Sequence, residues 1–351
     1  MIYNVVLREL ASRISESRKG PVRMNNTEVY KKTLGFSIRR MLWDLLAMVI
    51  LVGGSAAGFF IADKTSGKGL IGLGAGIVIG IVIIVFLLRY VSYTYKAGQI
   101  AMMTRGVSEG ELPDDVIGEG KRIVKERFTT VAAFFAVTSV IKGIFNQLSR
   151  AITSVGESVG GDTGSAVGSA ISGVVSTIVS YLCDCCLGWV FFRKDEKATK
   201  ATCEGAVLFF KHGKTFAKNM GRVFGMGLLS FILIVGILGG ASYLIMTRFP
   251  VAFENLSREI LEAVGRAENL KISQSVVDVI ANPTSLTIAC AALVGIVLWS
   301  IIHSVFIRPF VLVGVLRNYI ASGVNDIPTE ASFAQLDAKS AKFKKLHAEA
   351  V

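Results

Sequence analysis

The sequence predicts an all-α polytopic membrane protein with six transmembrane helices, and three observations carry that expectation. The 351 residues are 52% hydrophobic and 18% charged, with a mean hydropathy of +0.56, which leaves too little polar surface for a water-facing exterior. Six apolar segments reach the roughly 20 residues that a helix needs to cross a hydrocarbon core of about 30 Å. Basic residues cluster in every second connection, as they do where cytoplasmic loops retain Lys and Arg.

Taken in order, the segments run near Met41–Ala62, Gly69–Ser92, Thr129–Leu148, Ala166–Phe192, Val223–Met246 and Ser285–Ile307. The third carries Lys142, Asn146 and Gln147, so a buried amphipathic helix or a span that ends early competes with a full crossing there. Ahead of the first, residues 1–40 form a cytoplasmic or interfacial region. Ile2, Val5, Val6, Leu10 and Ile14 give it one apolar helical face, and Arg8, Arg13, Arg18 and Lys19 argue against a cleavable signal peptide. Residues 41–320 make the membrane domain, with an outer helical loop at 247–284, and residues 321–351 an amphipathic cytoplasmic tail. Phe333, Leu336, Phe343 and Leu346 share one face of that tail, amid lysines, a pattern that docks rather than dangles.

The net charge of +12 suggests nucleic acid until its distribution is read. Thirty of the 38 basic residues fall on the two termini, on the connections after the second and fourth segments, and at Arg89 close to the end of the second segment. The opposite face keeps Lys64, Lys68, Lys142, Arg150, Arg248, Arg258, Arg266 and Lys271. Both termini are therefore expected in the cytoplasm, in a membrane of the bacterial cytoplasmic kind, with membrane lipids as partners and no nucleic acid. A cytoplasmic protein could be met by residues 1–20 or 330–351.

Three stretches share an order: a basic amphipathic segment, an Arg at the membrane entrance, an outward span and a returning one. The entrances are Phe36–Arg40, Ile123–Arg127 and Ala217–Arg222, each read as an elbow helix leading into one of three parallel hairpins. Gly98 to Pro113 and Gly314 to Pro328 echo one another, with Gly106-Val107 and Gly323-Val324 in matching places, and a helix stop is expected at each Gly-Val pair. Duplication and convergence explain this about equally well, since any helix leaving a bilayer tends to acquire basic residues and a glycine.

Glycine and serine recur every four residues at Gly156, Gly160, Gly164, Gly168, Ser172, Ser176 and Ser180, and again at Gly72, Gly76 and Gly80. Small side chains let helix backbones touch, so these are helix-packing positions, within the chain or between copies in a homo-oligomer. Four-residue steps drift by about 40° each around an ideal helix, so the longer ridge must wind or break, with Gly160-Gly161 the place to break.

Charged residues in the membrane zone nominate a pathway: Asp44, Lys142, Asp184, His303 and Arg308, because ionisable groups there mark ion or solute routes or pair structurally. The five cysteines include Cys183-Asp184-Cys185-Cys186, but no matched second pair or His pair completes a metal site. No phosphate loop, paired-His motif or nucleophile elbow appears. Neither enzyme activity nor a metal or cofactor is expected.

From Gly164 onward the sequence resembles choline transporter-like proteins. Gly164-Ser165 and Gly168-Ser169 precede a Cys-rich turn, a basic amphipathic segment and two final spans, and Phe310–Tyr319 leads into Ser322-Gly323. The resemblance covers about half the chain and implies transport. With the parallel hairpins and membrane-zone charges, it makes a small-solute or cation transporter the leading expectation. A channel assembled through Gly/Ser ridges and a partner-recruiting membrane scaffold are the alternatives.

Overall fold

The computed structural model describes residues 24–67, 69–157, 164–266 and 273–350. The N-terminal amphipathic stretch 1–20 and Gly160 lie outside them. Among the described residues the protein is helical and has no strand. Its helices are α1 (Asn26–Ser66), α2 (Gly69–Val91), α3 (Ala97–Ser108), α4 (Val116–Arg127), α5 (Val131–Glu157), α6 (Gly164–Phe192), α7 (Ala198–Met246), α8 (Pro250–Arg266), α9 (Gln274–Ala281), α10 (Pro283–Ile302), α11 (Arg308–Asn325), α12 (Glu330–Asp337) and α13 (Ala341–Ala350). Single π-helical turns, Ser92–Lys96 and His303–Ile307, join α2 to α3 and α10 to α11.

Against six expected spans, four helices among the described residues are long and apolar enough to cross a membrane: Asn26–Ser66, Ile71–Ser108, Gly225–Met246 and Pro283–Asn325. The expected third segment falls in α5, which is bent by 80° from α4. The expected fourth contributes the shorter apolar helix Val179–Phe192, whose Leu182, Leu187, Trp189 and Val190 are buried inside the protein. Burial of these side chains is common to a core helix and to a span packed among other helices, and composition alone does not separate the two.

Of the three expected elbows, only the second is a separate helix. Phe128 is extended (φ −130°, ψ 99°) and ends α4, and Thr130 Oγ1 accepts from Ala133 N at 3.1 Å to start α5. Phe36–Arg40 and Ala217–Arg222 run on unbroken inside α1 and α7. The Gly-Val pairs do not stop their helices either, since Gly106-Val107 lies within α3 and Gly323-Val324 within α11. Their glycines sit under large side chains instead, Gly106 beside Val29 and Gly323 beneath Trp189.

By packing, the chain divides into two units: one takes the residues through Met220 and from Arg308 on, the other Gly221–Ile307. In the first, α1 and α2 form a hairpin whose seam is backbone on backbone. A Cβ on Gly72 would collide with the Gly58 carbonyl, and one on Gly76 with that of Gly54, whereas Gly80 has ordinary clearance from Leu51. Outward the hairpin exposes Leu42, Val49, Val52, Phe60, Val78, Ile79, Val82 and Phe86, an apolar surface far larger than a soluble protein shows.

Beyond the hairpin, the first unit closes into a buried helical core. Helix α3 is covered along almost its whole length, from Ala97 to Thr104 and again at Gly106 and Val107. It packs with α6 and α11, which also pack on each other. The three meet at Gly188 of α6, where a Cβ would strike Leu316 of α11 and lie 3.1 Å from Thr104 Oγ1 of α3. The tail docks on this unit: Phe333, Leu336, Phe343 and Leu346 enter one cluster with Ile144 of α5 and Cys203, Ala206 and Val207 of α7.

In the second unit the latter part of α7 faces α10. Gly295 approaches the Gly239 backbone at 3.0 Å from where its Cβ would stand, and Trp299 Nε1 donates to Ser230 Oγ at 3.2 Å. Asn282 Oδ1 accepts from Thr284 N and Ser285 N, with Pro283 at the first helical position, so α10 starts where the sequence places a start.

Candidate functional site

The two π turns aim cations into the core. A π turn inserts a residue and rotates the downstream helix relative to the one before it. Lys96 ends the first such turn, and Arg308 comes directly after the second. Both reach Asp184 on α6: Lys96 Nζ lies 2.7 Å from Oδ1, and the Arg308 guanidinium engages Oδ2 through Nε at 3.1 Å and through Nη2. Arg308 Nη2 also donates to the Ser180 carbonyl at 2.9 Å, and the guanidinium lies 5.2 Å from the Tyr181 ring centroid.

The Asp184 side chain is 6% exposed, so both its oxygens depend on these partners rather than on water. Removing one member of such a buried set leaves an uncompensated charge and costs about 3–5 kcal/mol. Arg40 of α1 interacts electrostatically with Asp184 and with Asp44, one helical turn further along.

The predicted pathway residues thus divide. Asp184 and Arg308 are bonded, Lys142 lines a cavity that also reaches Asp184, and Asp44 joins the group only through Arg40. His303 belongs to the second unit, and its ring lies tilted against Trp299 with centroids 5.1 Å apart. Sequence reasoning missed Lys96, Arg40 and Arg89, because each sits at the end of an apolar run and counts there as an ordinary topology anchor.

The cavity beside Asp184 has a volume of 550 Å³ and is lined by Arg89, Lys96, Lys142, Phe134, Phe135 and Leu187 among others. Arg89 lies over the Phe135 ring, 5.9 Å from its centroid. A second cavity, of 540 Å³, opens between α3, α4 and the end of α6. Its charges pair among themselves: Arg105 with Glu109 at 2.7 Å and Glu119 at 2.9 Å, Arg122 with Glu119 at 2.7 Å and with Glu126, and Lys194 with Glu109 at 2.8 Å. Burial raises the Glu109 carboxyl, but the hydrogen bond from Lys194 and the charge of Arg105 more than offset this and hold it below its ordinary value.

Neighbouring polar groups brace the core. Glu204 accepts from Trp189 Nε1 and Arg193 Nε, both at 3.0 Å. Arg127 donates to the carbonyls of Arg193, Lys194 and Glu196 at 3.0, 3.3 and 2.6 Å, a cationic cap on the C-terminal end of α6. Lys211 pairs with Asp326 at 2.7 Å and lowers its carboxyl pKa.

All five cysteines are free thiols, and burial pushes Cys203 up to about 12, which makes it a packing residue rather than a nucleophile. Among the described residues no group of His, Cys, Asp and Glu is arranged to hold a metal ion.

The ridge positions divide between helices. Gly156 lies near the end of α5, while Gly164, Gly168, Ser172, Ser176 and Ser180 lie along α6. The expected break at Gly160-Gly161 falls outside the described residues.

Comparison with protein-family models, curated proteins and solved structures finds no match to the chain.

Proposed function

We propose that this is a transporter-like integral membrane protein that moves a small solute or cation, with Asp184 and its two cations at the polar crossing of the returning helices. The observation that carries the reading is one buried carboxylate shared between Lys96 and Arg308, each delivered by a π turn at the inner end of an apolar helix. An acid with two competing cations can trade partners as helices shift, and ionisable groups at membrane depth mark such routes.

The finer architecture belongs to the same proposal. Six spans arranged as three parallel hairpins, with both termini in the cytoplasm, would relate α2–α3 and α10–α11 as copies, each an apolar helix, a π turn and a packed inner helix. The resemblance of the C-terminal half to choline transporter-like proteins points the same way. An oligomeric channel draws less support, because Gly72 and Gly76 are already engaged in the chain's own α1–α2 seam. A scaffold would have to recruit through the charged outer face of the tail, since its apolar face is taken by α5 and α7.

Purified full-length protein in proteoliposomes, assayed with panels of cations and small solutes, tests the proposal. Arg308→Lys keeps the charge on Asp184 but removes the planar fork, and is expected to slow flux severalfold while the protein still melts cooperatively. Wild-type flux in that folded variant removes the Asp184 cluster from the pathway. No flux of any compound by the wild type, alongside a stable complex with another protein, overturns transport.

A further inference from the structure

We infer that the cavity between α2, α5 and α6 is a binding site for the phosphate headgroup of an anionic membrane phospholipid. Four cations stand around one acid: Arg89, Lys96, Lys142 and, behind the wall, Arg308 with Asp184. Asp184 has both oxygens occupied, by Lys96 and Arg308. Arg89 and Lys142 have no ion-pair partner among the described residues, and Lys96 shares its single acid with a guanidinium. The cavity therefore carries an excess of positive charge, and at 550 Å³ it has room for a phosphate group with its attached polar moiety.

Its location selects a lipid over a soluble anion. Arg89 lies in the last turn of α2, whose preceding residues Ile81, Val82, Ile83, Val85 and Phe86 are exposed and apolar, so the guanidinium stands where hydrocarbon gives way to headgroups. Phe134, Phe135 and Leu187 line the same cavity and offer an apolar wall to the first carbons of an acyl chain. Ser139 is common to this cavity and to a smaller one of 260 Å³ lined by Lys342 and Lys345, with Glu349 as its one acid. The basic surface so continues onto the docked tail, and a lipid in the cavity would tie α2, α5 and α6 to the membrane boundary. This assignment stands independently of transport.

Native mass spectrometry of full-length protein extracted from vesicles of phosphatidylglycerol or of phosphatidylcholine, with matched acyl chains, tests it. Phosphatidylglycerol is expected to remain bound and phosphatidylcholine to be lost. Arg89→Gln with Lys142→Gln should lower retention by about tenfold or more, since each basic residue near an anionic surface contributes on the order of 1 kcal/mol. Arg89→Lys with Lys142→Arg should restore retention, which separates lost charge from lost folding. Lys31→Gln with Lys32→Gln removes the same charge from an exposed stretch of α1 and should leave retention unchanged. Equal retention of the two lipids, or equal loss in both neutral pairs, overturns the site. Displacement of the lipid by millimolar inorganic phosphate, with saturable phosphate binding to delipidated protein, overturns its assignment to a lipid.

Discussion

Two cavities of the first unit are nearly equal in volume, 540 and 550 Å³, and opposite in electrostatic design. Around the cavity at the end of α6, Arg105, Arg122 and Lys194 each meet a glutamate, and Arg127 meets a set of helix-end carbonyls. Around the cavity beside α2, one aspartate answers two cations, and Arg89 and Lys142 meet no acid among the described residues. The first arrangement is closed on itself and reads as structure. The second leaves charge to be answered from outside the chain, which is what a site does. The number of charges does not distinguish them; the pairing does.

The strongest way to break the contrast is at Asp184. Asp184→Asn leaves Lys96 and Arg308 facing each other without their acid, and we expect a loss of about 3–5 kcal/mol, read as a lower melting temperature in detergent or lipid. A change no larger than that of a surface substitution would show that water already reaches the cluster. In the paired cavity the matching test is Arg127→Met, which uncaps the end of α6. We expect a loss of about 1–2 kcal/mol, together with faster amide exchange in the last turn of that helix.

Acid should act on the paired carboxylates outside the cavity beside α2. Glu109 and Asp326 have native pKa values below their ordinary ones. The stability they contribute is therefore complete above the unfolded carboxylate range, about pH 4, and is lost as pH falls through the lower native values. Amide exchange at the ends of α3 and α11 should be steady near neutrality and rise only in that acid range. A rise that begins near neutrality would assign the loosening to other groups.

The smallest effect sharpens the contrast from the other direction. Arg89→Gln with Lys142→Gln should shift stability by no more than about 0.5 kcal/mol, because no partner is left behind. A large destabilisation in lipid-free protein would mean that these residues brace the fold.

The sequence disclosed these regions unevenly. Asp184 and Arg308 stood out because charge in an apolar run is rare, whereas Lys96 and Arg89, at the ends of such runs, were indistinguishable from topology anchors. The close packing of Gly72 and Gly76, here against Gly58 and Gly54, was legible from spacing alone, and so was the docked face of the tail at Phe333, Leu336, Phe343 and Leu346. Four long apolar helices stand out among the described residues, and Val179–Phe192 packs inside the protein. The elbow breaks were not legible: Phe36–Arg40 and Ala217–Arg222 lack the extended residue that breaks the chain at Phe128. The π turns carry no compositional mark; they are visible only in where they send Lys96 and Arg308.

The distance along the chain between Asp184 and Arg308, 124 residues, bears on how the protein is made. A chain leaving the ribosome presents Asp184 and Lys96 long before Arg308 exists, and the helices of the second unit must be synthesised in between. The core around Gly188 is therefore assembled late, when α11 arrives to meet α3 and α6, and α12 and α13, which emerge last, dock on α5 and α7. Nascent chains halted before Arg308 should hold the α1–α2 hairpin in the membrane yet remain open to proteases at α6, where the full-length protein is protected.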